Sequence, residues 1–241
     1  MYRIFAYCGS RNPQSRTLQA IVLIQQWLSS LQDSIDTQIS WTICTPKDLR
    51  ILPSDGTAQE FSTGVDRQEF LGIDDSGRLK TMIEHCDYLI LGSPTYGHNV
   101  SGDMKIVMDR LCYWSHLFYL SGKPGMPLVS ASTNGYLKVG DMLERFMDSL
   151  GIVRDPTAYN TYGMPFENNE AQGAARHILA ALTSHEASKP NGYQEELFRS
   201  YKRSYIRRDE QNAEYRYWKK HRMFDCDSLA EYFASLPQVE H

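Results

Sequence analysis

The stretch DYLILGSPTYGHNVSGDMKIVMDR, residues 87–110, decides the fold. Tyr88 to Leu91 is an apolar run too short for a helix, and it ends at Gly92, the pattern of a fully buried strand. Ser93, Pro94, Thr95, Tyr96 and Gly97 follow, where proline and glycine punctuate the backbone and two hydroxyls and an aromatic ring can meet a ligand. A helix then begins. Ser101 is of the type that caps a helix N-terminus, and Met104, Val107, Met108 and Leu111 fall at spacings that build one apolar face. A polar loop between the carboxyl end of a buried strand and a helix N-terminus is where open α/β sheets bind ligands.

Upstream, Tyr2 to Cys8 reads as a first strand closed by Gly9, and Leu18, Ile21, Val22, Ile24, Gln25 and Leu28 carry a helix to about Leu31. The joint between them, Gly9-Ser10-Arg11-Asn12-Pro13-Gln14-Ser15-Arg16-Thr17, is a candidate phosphate site. Hydroxyls, free N–H groups and the helix dipole favour an anion there, and Arg11 or Arg16 can add charge-assisted bonds. The joint lacks the GxxxxGK[ST] of nucleoside-triphosphate loops and the GxGxxG of dinucleotide folds. The blander reading is a turn that Ser15 caps for local reasons.

Gln38 to Cys44 reads as a second strand, and Thr45 to Asp75 as a long polar connection, a length typical of lids or disordered segments. Asp74-Asp75-Ser76-Gly77 introduces a helix through Leu79, Met82 and Ile83. Downstream, Met126 to Ala131 is a fourth strand that delivers Ser132-Thr133-Asn134-Gly135-Tyr136 to the same edge, before a helix through Val139, Leu143 and Met147 that Gly151 ends. Ile152 to Tyr162 reads as a fifth strand and Ala171 to Leu182 as a fifth helix. This alternation predicts an α/β fold with a doubly wound, five-stranded parallel sheet over residues 1–188, and it gathers the loops after strands one, three and four at the carboxyl edge.

Residues 189–241 form a helical extension of another character. Between Arg199 and Arg222 nine Lys and Arg stand against three Asp and Glu, interleaved with Tyr201, Tyr205, Tyr215, Tyr217 and Trp218, in a chain of formal charge −4. Such a mixture suits single-stranded nucleic acid. Leu197, Tyr201 and Tyr205 share one helix face, however, so the favoured reading is an arm packed on its own domain or a second subunit, with no nucleic acid bound. At 241 residues, 41% of them hydrophobic and 22% charged, the composition is that of a soluble globular protein. No run approaches the ~18 apolar residues of a membrane span, and MYRIFAYCGS lacks a long signal-type apolar region, so no membrane partner and a cytoplasmic location are expected. The five cysteines are dispersed without a CxxC pair, which speaks against a zinc ribbon or a disulfide framework; no metal site is expected.

Taken together, Gly9-Ser10-Arg11 with Ser15-Arg16-Thr17, then Gly92-Ser93-Pro94-Thr95-Tyr96, then Val100-Ser101-Gly102 with Lys105, Asp109 and Arg110 resemble the NAD(P)H-dependent FMN reductases of flavodoxin-like fold, the iron–sulfur flavoproteins within them most of all. The likeness covers roughly Met1 to Leu182. It implies that Ser10, Arg11, Ser15, Arg16 and Thr17 surround the FMN phosphate. It also implies that Pro94, Thr95, Tyr96 and Gly97 border the flavin ring and that Thr133, Asn134 and Gly135 close on it. A homodimer or homotetramer is implied as well. One departure matters: the iron–sulfur relatives carry clustered cysteines after strand two, whereas here no cysteine lies between Cys44 and Cys86. Thiolates are what hold such clusters, so FMN without an Fe–S cluster is expected.

The expected function is hydride transfer from NAD(P)H through the flavin to an organic acceptor: a quinone, a nitro or azo compound, an activated double bond in a biosynthetic intermediate, or a peptide. Tyr96 and His98 are the candidate proton donors. The alternative is a flavodoxin-like electron carrier without substrate turnover. Against it stand the basic arm and the length of the chain.

Overall fold

A computed structural model describes residues 1–31, 38–184 and 189–237. The first half of the chain runs β1 (Tyr2–Cys8), α1 (Arg16–Leu31), β2 (Ile39–Cys44), two short helices α2 (Gln59–Thr63) and α3 (Arg67–Phe70), α4 (Ser76–His85) and β3 (Tyr88–Tyr96). It continues through β4 (Asn99–Val100), α5 (Gly102–Arg110), α6 (Cys112–His116), β5 (Pro124–Ala131), α7 (Tyr136–Ser149), β6 (Val153–Arg154), β7 (Ala158–Thr161) and α8 (Asn168–Thr183). Three further helices, α9 (Gly192–Tyr205), α10 (Ala213–Lys220) and α11 (Leu229–Ser235), form the extension.

The sheet runs in the order β2-β1-β3-β5-β6, with β7 also on β5, and all these pairs are parallel. This is the doubly wound flavodoxin-like order, in which the strand order reverses between β1 and β3. The central strands alternate between two apolar layers. Phe5, Tyr7, Leu89, Leu91 and Val129 face the layer with α4, α5 and α7, while Ile4, Ala6, Cys8, Tyr88, Ile90 and Leu128 face the layer with α1 and α8. Burial on both faces explains why these strands read as continuous apolar runs.

The sheet has seven strands where five are expected, for two reasons. The fifth strand, expected as one run from Ile152 to Tyr162, is split into β6 and β7 around Pro156, which has no N–H to give a ladder. The strand from Tyr88 also runs past Gly92 to Tyr96 and folds back as β4. Pro94 is tolerated there because Gly92 O already takes the Gly9 N–H at 2.7 Å as β1 ends. Two residues on, the nitrogen of Pro94 faces the side β1 has left.

The extension packs on its own domain. Phe198, Tyr205, Trp218, Met223, Leu229 and Phe233 join the apolar layer that holds Phe5 and Tyr7, and Phe198 stacks on Trp218 at 5.0 Å. Polar anchors fix the same contact: Gln194 Nε2 donates to Asp148 O and Ile152 O, and Trp218 Nε1 to His116 O. Arg199, Arg203 and Arg207 stay exposed. Among the described residues no helix is long and apolar enough to cross a membrane.

The connection from Thr45 to Asp75 is folded and pinned by buried charge. Arg110, only 2% exposed, spends its guanidinium on Asp66 Oδ2 (2.7 Å), Asp74 Oδ2 (2.5 Å), Ser76 Oγ (2.7 Å) and Leu52 O (3.0 Å). Lys80 bridges Glu69 at 2.6 Å and Glu60 and Asp66 at 3.3 Å. Burial pulls Asp66 and Asp74 upward, yet bonds from Arg110 and other donors outweigh it and leave both below the ordinary carboxylate range.

Candidate functional site

Three loops meet at the carboxyl edge, and Ser101 ties two of them together. Its hydroxyl donates to Gly9 O at 2.5 Å while accepting from Met104 N at 3.1 Å as the cap of α5, and its N–H reaches Ser93 Oγ at 3.0 Å. A side chain on Gly9 would place its Cβ 2.8 Å from both Met104 Cβ and Ser101 Oγ, so only glycine lets α5 seat against the end of β1.

The loop after β1 is held by its own polar side chains. Asn12 N donates to Ser10 Oγ, Gln14 N to Asn12 Oδ1 and Ser15 N to Asn12 O. Ser15 Oγ accepts from Leu18 N at 3.1 Å and so caps α1. The local reading of Ser15 therefore holds, and it coexists with a role for the helix terminus, since the N–H groups of Arg16 and Thr17 have no acceptor among the described residues.

The side chains expected around a phosphate are not all turned the same way. Ser10 and Ser15 are buried in the loop. Thr17 is fully buried, with its hydroxyl 2.6 Å from Ser130 Oγ, where it braces β5. Arg16 points to the end of β7: Nη2 donates to Asn160 Oδ1 (2.7 Å) and Thr161 O (2.8 Å), and the guanidinium lies over the Tyr162 ring. Its Nη1 is buried with no partner among the described residues. Arg11 is exposed and forked onto Asp103, whose carboxylate pushes the arginine's pKa up further.

The GSPTY segment becomes a hairpin. Thr95 pairs with Val100 and Tyr96 with Asn99, around a turn in which Gly97 (φ +57) and His98 (φ +61) both lie in the left-handed region. That is the two-residue turn whose twist matches the strands, and histidine is among the few non-glycine residues enriched there. Pro94 is buried, the Thr95 hydroxyl is buried without a partner, and Tyr96 is 61% exposed at the tip. From the third loop, Thr133 and Asn134 are exposed, and Gly135 (φ +79) packs so closely that a Cβ there would lie 3.0 Å from His98 Cα and Nδ1. A groove of about 560 Å³ runs between Gly9–Asn12, Tyr96 and the start of α5 at Ser101–Asp103. It unites Ser10, Arg11 and Tyr96; from the third loop Gly135 packs on His98 of the hairpin, and Thr133 and Asn134 do not line the groove.

Among the described residues no nucleophile with an activating partner sits here. Burial pushes the Cys8 thiol up, as it does Cys44, Cys86 and Cys226, which leaves these thiols protonated and inert. The edge offers hydrogen-bond donors, a ring wall and glycine cradles, which suit a bound cofactor carrying its own chemistry. A model of the NADPH-dependent FMN reductase family matches residues 2–163. The chain belongs to that family, a family of oxidoreductases. An iron–sulfur flavoprotein of Archaeoglobus fulgidus is 36% identical over 87 residues, 36% of this chain and 39% of that protein, so the aligned part spans well under half of the relative. Among solved structures, RosB with a bound formylriboflavin-phosphate intermediate has the same fold at a TM-score of 0.60, 14% identity and 87% and 89% coverage. The apo form of the NADH:FMN oxidoreductase EmoB does so at 0.53, with 18% identity and 79% and 95% coverage.

The residues of this edge fit FMN. The buried Thr95 hydroxyl and Arg16 Nη1 are polar groups of the kind a ligand or ordered water satisfies, and α1 presents two unspent N–H donors. Two features were not legible in the sequence. The hairpin lacks the Asn-Gly signature of its turn, and the Arg110 network joins residues 34 to 58 positions apart.

Proposed function

We propose that this protein is an FMN-dependent NAD(P)H oxidoreductase that reduces an organic acceptor. The observation that carries the reading is the convergence of the α1 terminus, the Tyr96 hairpin and the Thr133–Gly135 loop, with Thr95 Oγ1 left unpartnered among them. Ser10, Ser15 and the N–H groups of Arg16 and Thr17 would hold the phosphate. Pro94 to Gly97 and Thr133 to Gly135 would border the ring. Held by these residues, FMN would supply two-electron hydride chemistry between a nicotinamide and the acceptor. Tyr96, exposed at the groove, is the proton donor to the acceptor, and His98 supports the hairpin tip against Gly135 and stands within the same site. A quinone, a nitro or azo compound or an activated double bond fits a two-electron route.

The same reading has FMN without an iron–sulfur cluster. It is supported by the dispersal of the five cysteines and by the region after β2, which holds the Arg110 and Lys80 ion pairs where clustered thiolates would be needed. The test is anaerobic mixing of the FMN-loaded protein with NADH and with NADPH. Bleaching of the flavin by at least one of them is expected; failure of both, while dithionite bleaches it, overturns turnover and favours a carrier. Stoichiometric iron and acid-labile sulfide would overturn the cluster-free reading.

A further inference from the structure

A second, wider cleft lies at the opposite, amino edge of the sheet, away from the three loops. Its volume is about 1580 Å³, and its walls come from both parts of the chain: the starts of β1, β5 and β6 on one side, and α10 and α11 with the residues after them on the other. A usual small-molecule pocket holds about 300–1,000 Å³, so one ligand of one or two rings would fill part of it.

The hydrogen-bonding and charge balance of the walls is uneven. Every acid on them is committed: Glu84 accepts from Tyr119 OH at 2.5 Å, Asp87 from Arg3 N at 2.6 Å, and Asp155 from Tyr88 OH at 2.6 Å. Lys123 caps the end of α4 through Cys86 O and Glu84 O, and Arg154 is spent on Asp148 at 2.6 Å. Lys189 and Lys220 have no partner among the described residues. Beside them Tyr217 stacks on His221 at 4.1 Å and contacts Tyr119, and its hydroxyl has no hydrogen-bond partner among the described residues either. Burial pushes the Tyr217 pKa well up, so that hydroxyl stays a neutral donor. Phe233, Ala234 and Leu236 complete an apolar wall.

We propose that this cleft is a second ligand site, taking a small organic anion with a flat aromatic body, its charge met by Lys189 and Lys220 and its ring by Tyr217 and the α11 wall. The unspent valence of the cleft is cationic and aromatic, which matches that chemistry and no other sign of charge. The site also gives a role to part of the basic, aromatic stretch of the extension, since Tyr217, Lys220 and His221 all belong to it. It does not rest on the flavin reading.

The test is isothermal titration of the FMN-loaded protein with naphthalene-2-sulfonate and with neutral naphthalene-2-methanol. The sulfonate should saturate below about 1 mM and bind roughly tenfold more tightly than the alcohol, the size of one charge-assisted contact. The double variant Lys189→Ala/Lys220→Ala should lose most of that margin, and Ala234→Trp, at an exposed wall position, should weaken the sulfonate without restoring the alcohol. Both variants should keep the wild-type melting curve. Absence of saturation, equal binding of the two probes, or a margin that survives the double variant overturns the proposal.

Discussion

The carboxyl edge and the pinned connection beneath α5 are both built from buried polar groups, yet they differ in what is left over. Around Arg110 each donor group has a partner, and the two aspartates it meets are held ionised. At the carboxyl edge the Thr95 hydroxyl, Arg16 Nη1 and two helix N–H groups have none among the described residues. A buried polar group without a partner costs about 1–3 kcal/mol, so a fold keeps one where something outside the chain meets it. Saturation marks the scaffold, and spare valence marks the site.

The largest effect that could break this contrast lies at the saturated end. Arg110→Met takes the guanidinium from buried Asp74 and leaves Asp66 only Lys80 as its counter-charge, and should cost about 3–5 kcal/mol in urea unfolding. Its pH dependence should also flatten. Asp66 and Asp74 are depressed in the folded wild type, so their contribution is present above the unfolded value of about 3.9 and drains away as pH falls through their lower folded values. Without Arg110 one lowering contribution is lost from each, while Lys80 at Asp66 and the Ser76 and Leu52 donors at Asp74 remain, so both sit closer to their unfolded value and the variant's stability should fall less steeply than the wild type's as pH drops below about 5. A loss below about 1 kcal/mol, or parallel pH curves, would mean that the network is ornamental.

What the sequence made legible follows the same division. Runs such as Ile4 to Cys8 and Tyr88 to Leu91 declare strands because both faces are buried, and Gly9, Ser101 and Gly135 declare turns because their local geometry admits few alternatives. The hydroxyls at Ser10, Ser15 and Thr95 could be assigned to an edge from topology alone. Their directions could not: Thr17 turns to Ser130 and Arg16 to Asn160, partners more than a hundred residues away that no local pattern announces. The Arg110 contacts were hidden for the same reason, and Pro156 marked the break in the fifth strand without saying that the chain would resume pairing on β5.

Next in size is Gly9→Ala. The added Cβ meets Met104 Cβ and Ser101 Oγ at 2.8 Å, atoms fixed on the first turn of α5, so about 1–3 kcal/mol of stability should go, and FMN binding with it. Fluorescence quenching of FMN during titration reads the second loss. Thr95→Val sharpens the comparison further because its two effects carry opposite signs. The FMN-free protein should melt at the same temperature or higher, since an unpartnered buried hydroxyl is gone, while FMN binds about five- to tenfold more weakly. Loss of stability without loss of affinity would move Thr95 to the scaffold side.

The smallest effect concerns the one pair that stands between the two classes. Arg11 lies on the groove but is forked onto Asp103, an exposed ion pair of the kind that contributes little by itself. Asp103 also occupies the first turn of α5, where a carboxylate suits the helix dipole, so its charge is satisfied twice over. If the arginine belongs to the site, an incoming phosphate dianion competes with Asp103 for it. Asp103→Asn should then release the guanidinium and tighten FMN by about two- to fivefold, with the gain shrinking as salt screens the contact. Riboflavin, which lacks the phosphate, should bind the variant and the wild type alike. Equal tightening of both ligands would trace the effect to the shape of the groove, and weakening of FMN would show that Asp103 holds Arg11 in place for the phosphate.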